Sequence, residues 1–157
     1  MGVATKKAAF PSVEWFQALQ ELMNAQTQKY RRFGFVDSRG VFSVKAGDAL
    51  GQDRYFGAAF EIYECVEIRE LSAGDIQGFD PDWIYEGAYG DWKEMIENIV
   101  ANGHADSDHT LNRLSLLRHP FNIHGEDQTR VDLFQRLLST FQEFIDEASA
   151  VETGFLD

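Results

Sequence analysis

One cysteine, Cys65, in 157 residues excludes an internal disulfide and fits a reducing compartment. No stretch approaches the roughly 18 consecutive apolar residues that a membrane-spanning helix needs, so stable membrane insertion is excluded. The start, MGVATKKAAF, lacks a secretory hydrophobic region, and Lys6 stands where a myristoylation signal wants Ser or Thr. The closing residues Phe155, Leu156 and Asp157 are no peroxisomal address. A cytoplasmic location is the expectation. Positive charge is also scarce. Fourteen Lys and Arg stand against 26 Asp and Glu, for a net charge of -12, and such a surface repels nucleic acid on average.

The charge is unevenly spread. Up to Ala46, seven basic residues outnumber three acids, whereas the remainder carries seven against twenty-three. Lys6, Lys7, Lys29, Arg31, Arg32, Arg39 and Lys45 could therefore meet anionic lipid in transient membrane contact, or simply blunt a strand edge. What the chain holds in quantity is rings. Thirteen Phe, five Tyr and three Trp give a core that can wall a cavity as readily as fill one.

Chemical signatures are missing too. The strand-to-helix turn EGAYGDW has no Ser and cannot be a nucleophile elbow, and the glycines of GDALGQDR are not followed by the Lys and Ser or Thr of a phosphate cradle. His104, His109, His119 and His124 lie close together in sequence, but the spacing in HADSDH turns its two imidazoles to different sides of a helix. No metal or cofactor site is predicted. Carboxylates are too numerous for any one pair to stand out, and Asp82 and Glu86 read as solvated strand-end acids. No catalytic residue is assigned, and the expectation is not an enzyme.

Periodicity supplies the elements. Val13, Trp15, Phe16, Leu19, Leu22 and Met23 share one helical face after a Ser12 cap. YRRFGFVDSRGVFSVKAG reads as a hairpin turning at DSRG, and GDALGQDR as a loop. From Tyr55 to Glu70 the chain alternates, with Phe56, Ala58, Phe60, Ile62, Val66 and Ile68 of one parity and a break near Tyr63 to Cys65. LSAGDIQGFDP is a loop.

A strand from Trp83 to Glu86 then leads into a helix begun by an Asp91–Glu94 capping box, striped by Trp92, Met95, Ile96, Ile99 and Val100, and ended at Gly103. A short helix before Pro120, a brief strand carrying Phe121 and Ile123, and one helix of five turns through Val131, Phe134, Leu137, Leu138, Phe141, Phe144, Ile145 and Ala148 complete the series. Residues 1–11 and 151–157 read as tails around one domain over 12–150.

The segments FDPDWIYEGAYGDWKEMIENIVANG and LSLLRHPFNIHGED, in this order of elements, resemble the sterol carrier protein type 2 family of lipid-binding domains over 12–148. The block from Phe79 to Asp91 is richer in large aromatics than that family's pattern. The resemblance implies an α+β fold: a single domain with a roughly five-stranded, mixed or antiparallel sheet covered on one face by helices. It further implies non-catalytic binding or transfer of a fatty acid, acyl thioester or sterol-like lipid in an apolar tunnel between the layers, without a cofactor and often beside a partner enzyme. Carried onto this chain, the tunnel wall is Phe56, Phe60, Ile62, Trp83, Tyr85, Trp92, Ile96, Phe121, Phe134, Leu138 and Phe141.

Two alternatives stay open: a solid-core accessory module of an enzyme, and an enzyme on a cone-shaped α+β fold. The oligomeric state is not legible. An empty tunnel of about 300 Å³ costs about 7 kcal/mol, as much as a domain's whole stability. An alkyl chain returns about 0.8 kcal/mol per buried methylene, so a tunnel is expected to be filled.

Overall fold

The computed structural model describes residues 6–156, so residues 1–5 of the expected N-terminal tail, and Asp157, lie outside it. Its architecture is α+β. A five-stranded mixed sheet has the order β4-β3-β2-β5-β6, formed by β2 (Ser38–Lys45), β3 (Arg54–Glu61), β4 (Glu64–Leu71), β5 (Trp83–Ala88) and β6 (Asn122–His124). β2 and β5 run parallel, and the other neighbours are antiparallel.

Both expected tails are strands. β1 (Lys6–Phe10) pairs in parallel with β7 (Val151–Phe155), from Lys6 opposite Val151 to Phe10 opposite Phe155. Neither five-residue segment has a partner nearby in sequence. Their pleat becomes meaningful only when the two ends of the chain meet, and Trp15 fastens the pair by donating its indole N–H to Thr153 Oγ1 at 3.0 Å.

Helix α1 (Val13–Asn24) forms as its spacing predicts. Ser12 Oγ accepts the Trp15 amide at 3.0 Å, and Trp15, Phe16, Ala18, Leu19, Leu22 and Met23 are buried. Its far end also closes the sheet's open edge. Asn24 accepts the Cys65 N–H and donates to the Cys65 carbonyl, both at 2.9 Å, and Gln20 donates to that carbonyl at 3.0 Å. A side-chain amide thus stands in for the missing strand.

The hairpin expected at DSRG does not form. After the short helix α2 (Thr27–Arg31) and a loop, residues 38–45 run as a single central strand. Gly40 serves packing there, because a Cβ at this position would overlap the Trp83 ring. The turn lies between β3 and β4, where Ile62 takes a left-handed φ of 58°. A register shift then leaves Val66 unpaired, so Val66 is exposed and Cys65 buried, opposite to the single parity expected.

The expected 71–81 loop contains a 3-10 turn, Ala73–Asp75, and helix α3 (Ile76–Phe79). Phe79 packs with Val41 and Leu71 on the far face of the sheet, between the guanidinium groups of Arg39 and Arg69.

The main helical layer consists of α1, α4 (Tyr89–Asn102), α5 (Leu111–Ser115), α6 (Gln128–Arg136) and α7 (Leu138–Asp146). α4 starts at Tyr89 after an Ala88 cap, two residues before the expected capping box, and ends at Gly103, whose φ of 83° suits glycine. The five-turn terminal helix is two helices, broken at Leu137 (φ -108°, ψ 17°). Neither proline nor glycine marks that break. α6 lies along β5 and β6 while α7 packs toward α1 and α5, so the apolar stripe is continuous although the axis is not.

Candidate functional site

Nine of the eleven tunnel candidates meet in one layer between the sheet and its helices. Phe56, Phe60, Trp83, Tyr85, Trp92, Ile96, Phe121, Phe134 and Phe141 are all essentially inaccessible to solvent. The pleat of β3 and β5 aims Phe56, Phe60, Trp83 and Tyr85 at the helices. α4 contributes Trp92 and Ile96, and the α6–α7 pair contributes Phe134 and Phe141.

The rings touch. Trp83 meets Phe134 edge-on and Phe141 at a tilt, with both centroid separations 4.9 Å. Tyr85 stacks between Phe121 at 4.9 Å and Phe134 at 5.3 Å, and Phe121 stands edge-on to Trp92 at 5.3 Å. Phe60 closes the other end against Phe141 and Phe144 at 5.3 and 5.2 Å. These separations lie in the range where offset and edge-to-face pairs attract.

The polar tips of the rings are spent on the protein itself. Trp83 Nε1 donates to Ser38 Oγ, Trp92 Nε1 to the Ser43 carbonyl and Tyr85 Oη to the Leu111 carbonyl, at 2.9–3.0 Å. Burial, its sole cause, raises the Tyr85 phenol above its ordinary pKa, so this hydroxyl stays a neutral donor.

Two candidates are placed differently. Ile62 stands at the β3–β4 turn, 55% exposed and outside the layer, because the turn comes before the alternation it seemed to continue. Leu138, at the first turn of α7, is half-buried and borders a surface depression of about 360 Å³, together with Thr110, Asn112, Ser139, Gln142, Glu143 and Asp146. This depression lies in the seam between the start of α5, at Thr110 and Asn112, and α7. Gln142 holds the seam shut by accepting the Leu111 N–H at 2.7 Å and donating to Asp146 at 3.0 Å. Desolvation raises the Asp146 carboxyl pKa, opposed by the hydrogen bonds it accepts from the Ala105 N–H and Gln142.

The sequence reading missed Phe42, the hub of the layer. This residue of β2 contacts Phe16, Trp83, Trp92 and Phe144 at 5.3–6.2 Å. A Phe flanked by Val41 and Val44 on a strand buried on both faces was the available signal, hidden by reading the segment as a hairpin arm.

Asp82 was also underestimated. It is not a solvated end: its carboxylate accepts from Ser38 Oγ and the Arg39 N–H, both at 2.9 Å, and from Arg130 Nε at 2.7 Å. Arg130 also donates to Asp80 Oδ1 at 2.8 Å, and its guanidinium pKa rises through these bonds to Asp80 and Asp82. One carboxylate therefore ties β2, the start of β5 and α6 together.

The histidines are dispersed. His109 is gripped by Asp106 and Glu94, at 2.7 and 2.9 Å, whereas His124 lies beside Glu86 at 3.5 Å. Among the described residues no three His, Cys, Asp or Glu side chains gather as metal ligands.

No protein-family model and no curated protein matches the sequence. Solved structures do match in shape. A conserved hypothetical protein of Thermus thermophilus, described as a candidate sterol carrier protein, superimposes with a TM-score of 0.61 at 13% identity, over 95% of this chain and 96% of its own. The crystal structure of sterol carrier protein 2 superimposes with the same score at 14% identity, over 87% of this chain and 95% of its own. This chain has the sterol carrier protein 2 fold.

Proposed function

We propose that the protein binds and transfers a long-chain hydrophobic ligand between the β-sheet and the α6–α7 pair, reached through the α5–α7 seam beside Leu138. The observation that carries this reading is the layer of interlocked rings on a sterol carrier protein 2 fold, capped by a helix pair that is broken at Leu137 just where it crosses Trp83. A closed layer is the resting state that the energetics favour, since an empty space of about 300 Å³ would cost about 7 kcal/mol. Displacing Phe134 and Phe141 with the lid opens that space, and a ligand of about 14 carbons repays up to about 11 kcal/mol of burial before association costs. The tips of Trp83, Tyr85 and Trp92 are already bonded to the protein, so the site recognises an alkyl or alicyclic body more than a head group. No chemical step is assigned to any residue.

Displacement titration with a fluorescent long-chain fatty acid, competed by palmitate, tests the proposal. Saturable binding at micromolar ligand is expected, with a change in Trp83 and Trp92 fluorescence. A folded protein that shows no saturable displacement overturns it.

A second reading, an accessory module of an enzyme, is favoured by the ring contacts themselves: the layer is closed and needs no guest. Co-purification of a stoichiometric enzyme from the native source, with no lipid found by mass spectrometry of the denatured protein, would decide for it.

A further inference from the structure

The sequence Arg31-Arg32-Phe33-Gly34-Phe35 leaves α2 as an exposed loop, and beside it stands the β3–β4 turn. Phe33 is 37% exposed, Phe35 62% and Ile62 55%. Phe35 and Ile62 share one surface, because the Phe35 ring lies 5.4 Å from Tyr63 and the Val36 N–H donates to the Ile62 carbonyl at 2.8 Å, and Phe33, edge-on to Tyr30 at 6.2 Å, lies in the same exposed loop. Ile62 holds its apolar side chain in water at a φ of 58°, a conformation that β-branched residues avoid and that Asn or Gly would adopt readily. Folding alone rewards neither the exposure nor the strain, and strain of this kind gathers at functional surfaces.

The loop is presented from a rigid base. Tyr30 Oη donates to the buried Glu147 carboxylate at 2.6 Å, with Gln26 and Lys29 bonded to the same oxygen at 2.9 Å.

We infer that this tip is a docking surface for the headgroup and upper acyl region of a zwitterionic phospholipid bilayer. The inference rests on the lipid-transfer reading and supplies the donor or acceptor membrane which that reading requires. Charge complementarity selects this occupant. Arg31 and Arg32 are exposed, with no ion pair among the described residues, and guanidinium groups suit lipid phosphates. Glu61 and Glu64 flank the turn, facing each other across the hairpin, and Asp37 is spent on the Ile62 N–H at 3.0 Å. The tip thus carries both signs, as a phosphatidylcholine surface does. The -12 charge of the whole molecule opposes approach to a strongly anionic membrane. Phe33, Phe35 and Ile62 are the residues that enter the acyl boundary. The Phe60 ring, two residues from Ile62, already touches Phe141 and Phe144, so the tip adjoins one end of the aromatic layer.

Sedimentation of the full chain with phosphatidylcholine vesicles, with and without added phosphatidylserine, tests the inference. Reversible partitioning is expected, with little gain from phosphatidylserine. Phe35→Ser and Ile62→Asn should each weaken it about tenfold. Arg31→Gln combined with Arg32→Gln should weaken it less. Fatty-acid displacement in vesicle-free solution should be unchanged in all of these variants, so loss of displacement would indict the carrier reading and loss of partitioning this one. Ile62→Asn should fold at least as stably as the parent, which removes misfolding as an explanation. Absence of partitioning, or partitioning equal in Phe35→Ser, Ile62→Asn and the parent, overturns the inference.

Discussion

At the scale of single residues, close packing explains what type preferences do not. Gly40 sits mid-strand because the Trp83 indole occupies the space of a side chain. Gly40→Ala should therefore cost about 3 kcal/mol through overpacking, measurable by urea denaturation, although alanine is the better strand residue. Ile62 is the converse, a strained residue kept where asparagine would serve the backbone better. Ile62→Asn should raise stability by about 1 kcal/mol in the same assay. Cys65 shows burial acting on chemistry. Desolvation pushes its thiol up to about 12, a weak hydrogen bond to Glu67 opposing, so iodoacetamide near neutral pH should modify it only upon unfolding.

At the scale of elements, the helical layer is held by polar clasps at its seams. The connection between α4 and α5 is fastened by His109, whose pKa is raised by its hydrogen bond to Asp106 and then by Glu94. A raised value means that the protonated imidazole is favoured in the folded state. The contribution is therefore complete below the ordinary 6.5 and disappears as pH climbs through the higher folded value. Protection of the amides of residues 103–110, after correction for the base-catalysed intrinsic exchange rate, should fall over that alkaline-going window, and His109→Ala should remove this fall. The α5–α7 seam relies on Gln142, so Gln142→Ala should loosen the lid and speed fatty-acid exchange in stopped-flow displacement.

At the scale of the whole molecule, the ends of the chain close the structure. β1 and β7 pair only with each other, and the Trp15–Thr153 bond joins them to α1. Removing residues 151–157 strips β1 of its partner and uncovers Phe10. Thermal denaturation should register a loss on the order of 3 kcal/mol. The charge asymmetry acts at this scale too: the basic first third contains the exposed arginines, while the acidic remainder turns the molecule away from polyanions.

Resemblance in the order of elements implied the α+β class; the sequence by itself determined the helical faces of α1 and α4, the Ser12 and Gly103 caps, and most of the rings that would be buried, Phe42 excepted. These features follow from spacing and local capping, which act over a few residues. The Gly40 packing, the break at Leu137, the β1–β7 pairing and the gathering of Phe42 with Phe16, Trp83, Trp92 and Phe144 were decided only by the tertiary structure. Each depends on a group distant in sequence that arrives at contact distance, and periodicity carries no information about such meetings. Whether rings wall a hollow or fill it is decided the same way, by how neighbouring side chains interlock, and here Trp83, Phe134 and Phe141 meet at 4.9–5.3 Å.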